Sequence, residues 1–243
     1  AVLYVAQIFE QLDPFVPSDK IWAMPIKDNR PAGEPKLLAR TGGSMVDGLA
    51  VDENGLIYVA DAAANAIVSV NPETGETATY AAFEGLPGVF PSPFRNNELL
   101  ADPVPTGVVI AEDGTMYVSF LSGAPFVPGS AKVVQVAEDG TVSDFANGLT
   151  MLTDLTMGPD GHLYAVSFGM FTQEGPVFNS GSVIRILEDG ASEVVIEGLP
   201  FATSLAFDAE GNGYVAINGM AIPEAGAVVY YEGLTAREGT PAT

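Results

Sequence analysis

A chain of 243 residues with 47% apolar residues can bury a sizeable core, while 9 Lys and Arg against 31 Asp and Glu give a formal net charge of −22. Such a surface repels phosphate backbones and anionic headgroups, which argues against nucleic acid and membrane partners. With no Cys and one His, thiolate metal sites, disulfides and two-histidine zinc centres are out of reach, and a Ser-His-Asp triad would have to be built on His162.

No apolar run approaches the ~20 residues that cross a bilayer as a helix. The chain opens at Ala1 inside a strand-like run, AVLYVAQIF, without an initiator Met. This suits a mature end left after signal removal, and the expected location is extracytoplasmic: periplasmic, cell-surface or secreted.

The first unit offers LYVAQ from Leu3, KIWAMPI from Lys20 and KLLAR from Lys36, three strands with no innermost one. From there one phrase returns four times, a small-residue approach, an acidic-glycine turn and an apolar strand opening on tyrosine. It reads GLAVDENGLIYVAD from Gly48, GVVIAEDGTMYVSF from Gly107, DLTMGPDGHLYAVS from Asp154 and SLAFDAEGNGYVAI from Ser204. Its tyrosines, Tyr58, Tyr117, Tyr164 and Tyr214, lie 59, 47 and 50 residues apart. A repeat of this length built from short strands marks a β-propeller blade.

Within the second unit the strands, named a to d from the axis outward, are Leu49–Val51, Ile57–Ala60, Ala66–Val70 and Thr77–Ala81. The expected fold is therefore all-β: a single β-propeller domain over 1–243, with four-stranded antiparallel blades, five repeats visible and five or six blades possible. The last unit ends after AVVYYE at Ala227 in a polar tail, TAREGTPAT. An open sheet edge invites aggregation, so the tail or the first strand completes a split blade, or further chain does.

The a–b and c–d turns, such as Asp52-Glu53-Asn54-Gly55 and Glu138-Asp139-Gly140, fall at one end of the propeller. Their Asp-Gly pairs serve hairpin geometry rather than calcium, which would need oxygen ligands alternating over about twelve residues. The long insertions fall at the other end: Leu121–Ala131, Phe168–Gly181, Asn218–Gly226 and the connection Glu84–Val104. They carry Phe90, Phe94, Phe126, Met170, Phe171, Phe178, Met220 and Ile222. Either these side chains bury one another over the channel mouth, or they form an apolar partner-binding surface, for a protein partner or for self-association.

The lone His162 follows a tight turn at the acidic end and reads as solvated. Metal-dependent propeller hydrolases hold a divalent ion near the starts of the inner strands. The comparable positions here are taken as Asp47, Thr106, Asp154 and Ser204, with Asn65 as neighbour. Asp47, Asn65 and Asp154 could bind Ca²⁺ weakly, but they lack an evident base or nucleophile. The competing role for both aspartates is to accept backbone amides at strand starts.

Several stretches are diagnostic: AxNAI at Ala63, VPTG at Val104, SGAPFVPGSAKV at Ser122, GLTMLTDLTMGPDGHLYAV at Gly148, GSVIRI at Gly181 and GLPFATSLAFDAEGNGYVA at Gly198. Through them about three-quarters of the chain resembles the ScyD/ScyE family of β-propellers, whose blade consensus is shared with NHL and SMP-30-like propellers. The resemblance implies an exported, NHL-like propeller and brings no catalytic residues. Family members look longer at the N-terminus.

Two functions follow as expectations. The first is a non-catalytic, exported accessory or structural subunit of a larger assembly, docking through the apolar insertions and needing no cofactor. The alternative is a metal-dependent hydrolase or lactonase using the channel mouth; a binder of small molecules or glycans is a third.

Overall fold

The computed structural model describes residues 1–12, 15–43, 45–219 and 224–242. They form five antiparallel sheets arranged as the blades of a β-propeller, with two two-stranded hairpins in the insertions (Leu86–Ser92 with Glu98–Ala101, and Phe171–Thr172 with Gly175–Pro176) and two short 3-10 turns besides. Blades 2, 3 and 4 each hold strands a to d. In blade 2 these are Val46–Val51, Ile57–Asp61, Ala66–Val70 and Thr77–Ala82. In blade 3 they are Pro105–Ile110, Met116–Phe120, Ala131–Val136 and Val142–Leu149. In blade 4 they are Leu152–Met157, Leu163–Ser167, Gly181–Ile186 and Ser192–Leu199.

The end blades are shorter. Blade 1 pairs Val2–Leu12 with Phe15–Lys27, and Phe15–Lys27 with Lys36–Arg40. Its register identifies these strands: Tyr4 opposes Ala23 as the repeat tyrosine Tyr58 opposes Ser69, so they are b, c and d. Strand a is lacking among the described residues, as the sequence suggested. Blade 5 has a, b and c at Ala202–Phe207, Gly213–Ile217 and Ala227–Tyr231.

Neither chain end completes the other's blade. The tail instead pairs Thr240 and Pro241 with Val194 and Glu193, extending the outer strand of blade 4. That corrects the expectation that the tail or the first strand completes a split blade: the tail lands on the outer strand of blade 4, and Val2–Leu12 pairs with Phe15–Lys27 of its own sheet.

Alternation along each strand sends one side to the preceding blade and the other to the following blade. Between blades 2 and 3, Tyr58, Ala60, Ile67 and Ala81 meet Val108, Met116, Val118 and Val134 in one buried cluster. The same positions build the clusters between blades 3 and 4 and between blades 4 and 5. The repeat tyrosines pack against aromatic partners, Tyr117 on Phe145 at 4.9 Å and Tyr164 on Phe207 at 4.8 Å, in the tilted geometry rings prefer.

Toward the axis the inner strands nearly touch. A Cβ on Gly48 would strike the Thr106 carbonyl oxygen, and one on Gly107 would lie 2.5 Å from the Leu155 nitrogen and 2.8 Å from Ser119 Oγ. The acidic turns behave as hairpin chemistry requires: Asp52 accepts the amides of Asn54 and Leu56, Asp113 that of Thr115 and Asp208 those of Glu210 and Asn212.

These contacts set an expected contrast in urea denaturation. Gly107→Ala should cost about 2–3 kcal/mol, since backbone and not a pliable side chain blocks the added carbon. Gly55→Ala, in open space at φ +84°, should cost only the left-handed penalty of about 1 kcal/mol.

Candidate functional site

Each inner strand breaks register once, early in its run: between Val46 and Leu49, Pro105 and Gly107, Leu152 and Asp154, and Ala202 and Ser204. The inserted residue is a β-bulge, which re-aims side chains at sheet rims and sites. Counting from the repeat tyrosines puts Asp47, Thr106, Thr153 and Thr203 at one height on the axis. Gly48, Gly107, Asp154 and Ser204 form the next. Asp47 and Asp154 are therefore not equivalent positions, which corrects the alignment drawn from the sequence. The two aspartates occupy successive positions of the same recurring bulge.

Three members of the first ring are hydroxyl donors, two of them across to the next blade. Thr106 Oγ1 donates to the Leu152 carbonyl of blade 4 at 3.0 Å and lies 3.1 Å from Ser119 Oγ. Thr153 Oγ1 donates to the Ala202 carbonyl of blade 5 at 3.2 Å, and Thr203 Oγ1 to Ala216 within its own blade at 3.4 Å. In blade 2 the ring carries a carboxyl instead of a hydroxyl. Asp47 makes no hydrogen bond among the described residues.

Asp154 is anchored. Its two oxygens accept the amide of Leu155 at 2.8 Å and that of Leu205 in blade 5 at 2.9 Å, so one carboxylate ties two inner strands together. Where Gly48 and Gly107 leave no room for a side chain, Asp154 spans the gap. Burial pushes Asp154 up to about 6 although both amides pull it down, and burial together with the charge of Asp154 pushes Asp47 up to about 7. Amide bonds favour the ionised form and an unbonded site near an anion disfavours it, so Asp47 is the member that titrates near neutrality.

Asn65, the third expected ligand, spends both ends of its amide elsewhere. Its Nδ2 donates to Asp102 Oδ1 at 3.3 Å and its Oδ1 accepts the Val104 amide at 3.0 Å, while Arg95 pairs with Asp102 at 2.8 Å. Among the described residues no group of three or more His, Cys, Asp or Glu has the spacing of a metal site. One free carboxyl does not fit a calcium ion, which takes 6–8 oxygens.

The insertions fold partly on one another. Phe126 of blade 3 meets Phe171 of blade 4 with centroids 5.3 Å apart, and Phe178 sets its edge on Phe201 at 5.5 Å. Phe126 and Phe171 are half-buried, whereas Phe90, Met170 and Phe178 remain exposed. Met220 and Ile222, and the side chain of Phe94, lie outside the described residues. Inner strands start at this end, so the rings and insertions share the same mouth of the channel.

Sequence reasoning passed over the approach to that mouth. Val104, Met151 and Phe201, each just before strand a or its entry, sit at φ +54°, +44° and +49°. A left-handed Val is a backbone outlier that its surroundings must enforce. Phe201 also stacks on Phe168 at 5.2 Å. The recurring GLTMLT and GLPFAT phrases were the available signal.

His162 lies at the opposite end, its Nδ1 3.3 Å from Asp160 Oδ2. That end also holds a groove of about 1220 Å³ between blades 2 and 3, lined by Asp52, Glu112, Asp113 and Glu138 among others. Asp52 and Asp113 there are occupied with their own turns.

No family model matches the chain, and no curated protein matches it. Among solved structures it resembles a chain of a nidogen–laminin complex (TM-score 0.61, 17% identity, 88% of this chain and 75% of that one). It also resembles a gluconolactonase from Xanthomonas campestris (0.59, 15%, 94% and 72%) and virginiamycin B lyase from Staphylococcus aureus (0.57, 13%, 95% and 66%). At these identities the likeness establishes the β-propeller fold. The chain spans just under two-thirds of the lyase's length and about three-quarters of the nidogen-complex chain's.

Because Asp47 is raised in the fold, its contribution favours the native state below the unfolded value of 3.8 and is lost as pH rises through about 7. Asp47→Asn should therefore stabilise the protein at pH 8 by about 2–4 kcal/mol and change little at pH 4, as read by urea titration at both pH values.

Proposed function

We propose that this propeller is a hydrolase of small ester or lactone substrates, with Asp47 as general base at the insertion-rich mouth of the channel. The reading draws on the enzymes among propellers of like fold, a gluconolactonase and a lyase. The observation that carries it is the unbonded carboxyl of Asp47, lifted to about 7 by burial and by the charge of the anchored Asp154. Perturbed groups of this kind concentrate at functional sites, and a base works best when its pKa lies near the operating pH.

Ionised Asp47 takes a proton from water as that water adds to the substrate carbonyl. Collapse of the adduct expels the alcohol, or opens the ring, and the proton returns to the departing oxygen. Asp154, held by two amides, is ionised above about pH 6, and its charge adds to the burial that raises Asp47. The net charge of −22 turns anionic substrates away, which selects neutral or cationic compounds. Half-buried Phe126 and Phe171 supply apolar contact at the same mouth.

On a panel of neutral lactones and aryl esters, kcat/KM should rise through about pH 7 and level off above it. Asp47→Asn should lower it about 10²–10⁴-fold with the fold retained. Asp154→Asn should move the acid limb to lower pH, since it removes the anion that raises Asp47. Full activity in Asp47→Asn, or no turnover across the panel, would refute the assignment.

A second reading, docking of a protein partner through the insertions, is favoured by the exposure of Phe90, Met170 and Phe178. Changing Phe90 and Phe178 to Ser should abolish binding of any partner that co-purifies with the wild type while leaving hydrolysis intact. Unchanged partner binding would remove this reading.

A further inference from the structure

Charge is unevenly shared along this chain. Five of the nine cations fall in residues 20–40, within blade 1, while the chain beyond residue 40 holds four cations and 26 acidic residues. Most cations are engaged. Lys20, Arg40, Arg95, Lys132 and Arg185 sit in ion pairs, and Arg237 lies over the Tyr231 ring at 5.2 Å. Lys27, Arg30 and Lys36 are exposed and have no ion pair or ring partner among the described residues.

These three share one projection, the connection between strands c and d of blade 1. Lys27 ends strand c and Lys36 opens strand d. A two-residue turn at Asp28 and Asn29, with φ +51° and +57°, folds Arg30 back onto Lys27. Left-handed conformations at both central residues make a type I′ hairpin, so the projection has a defined shape. Its pairing sets Lys27 directly opposite Arg30, like charges that repel each other across the ladder. A local conflict of this kind in an otherwise regular sheet marks a site kept for a partner's charge.

The same end of the propeller holds the complement. The groove between blades 2 and 3 opens among the a–b and c–d turns. Around it Glu53, Glu73, Glu112 and Glu138 stand exposed, with no ion pair or side-chain hydrogen bond among the described residues. Its floor carries Tyr58 and Tyr80, edge to face at 4.9 Å. Rings below and glutamates at the rim suit Lys and Arg, whose alkyl stems pack on the rings while their cationic heads reach the carboxylates. Hairpin and groove are neighbours, since a Cβ on Gly75 in the c–d turn of blade 2 would lie 2.6 Å from the Leu38 carbonyl oxygen of blade 1.

Two chains of net charge −22 repel each other except where their surfaces are locally opposite, and hairpin and groove are opposite. Because both lie at one end, a two-fold axis between them lets each copy give its hairpin and receive the other's, an arrangement that closes on itself. We propose that two copies of this chain pair through their turn-rich ends, the 27–36 hairpin of each seated in the groove between blades 2 and 3 of the other. The contact lies at the end opposite Asp47 and the Phe-rich insertions, so the channel mouth stays open in both copies.

Sedimentation of the wild-type protein from micromolar to millimolar concentration tests this at ~0.1 M salt, where a screening length of about 10 Å damps the repulsion between whole chains. The expected result is a species of twice the single-chain mass. Reversing the hairpin (Lys27→Glu, Arg30→Glu, Lys36→Glu) or the groove rim (Glu53→Lys, Glu112→Lys, Glu138→Lys) should each weaken pairing at least ten-fold. Mixing the two reversed chains should restore it, since every contact is then opposite in charge again, and that recovery also shows both variants to be folded. A wild type that stays single at every concentration, pairing that survives either reversal, or a mixture that stays unpaired would each overturn the proposal. Binding of the wild type to vesicles of anionic lipid through the hairpin, without pairing, would overturn it too and assign the hairpin to a lipid surface.

Discussion

Close approach of the inner strands governs the rest of this molecule. At Gly48 and Gly107 the backbones of adjacent blades come too near for any side chain, and at Asp154 the same gap is bridged by a carboxylate held between Leu155 and Leu205. Threonine hydroxyls one residue earlier donate across to the neighbouring blade. These short polar ties fix the heights of blades 3, 4 and 5 against one another. The apolar clusters farther out then supply most of the stabilisation, at about 1.5–3 kcal/mol for each large side chain fully buried.

Asp47 stands out because the surrounding order is so regular. The bulge that turns Thr106, Thr153 and Thr203 into donors places a carboxyl at the same point in blade 2, near a second carboxylate and without a donor of its own. An ionised group there is poorly compensated, and its proton affinity rises. The fold thus creates a group of unusual basicity, while the ring keeps its ties between blades through Thr106 and Thr153. Exposed Phe90, Met170 and Phe178 at the same end give that mouth an apolar character.

Much of this was legible in the sequence. The tyrosine-centred phrase gave the blades, the a–b turns and the lack of an inner strand in the first unit, because hairpin chemistry and strand alternation are local properties. Insertions rich in Phe marked the elaborated end for the same reason. The bulges were harder to see, since an extra residue within a strand changes pairing without changing composition. Counting back eleven residues from Tyr58, Tyr117, Tyr164 and Tyr214 does reach Asp47, Thr106, Thr153 and Thr203, and would have separated Asp47 from Asp154. The engagement of Asn65 with Asp102 and Val104, and the landing of the tail on blade 4, depend on contacts between distant segments that no local pattern encodes.

Everything proposed for the channel mouth turns on where the Asp47 side chain gives up its proton. Carbon-13 NMR of the folded protein, following the Asp47 carboxyl resonance from pH 3 to 9, reads that midpoint without reference to any substrate. A midpoint near 7 agrees with a half-buried carboxyl without a hydrogen bond, poorly solvated and within the field of Asp154. A midpoint near 3.8, the value of a carboxyl free in water, would mean that the site has no special basicity and that the base assigned here is an ordinary surface acid.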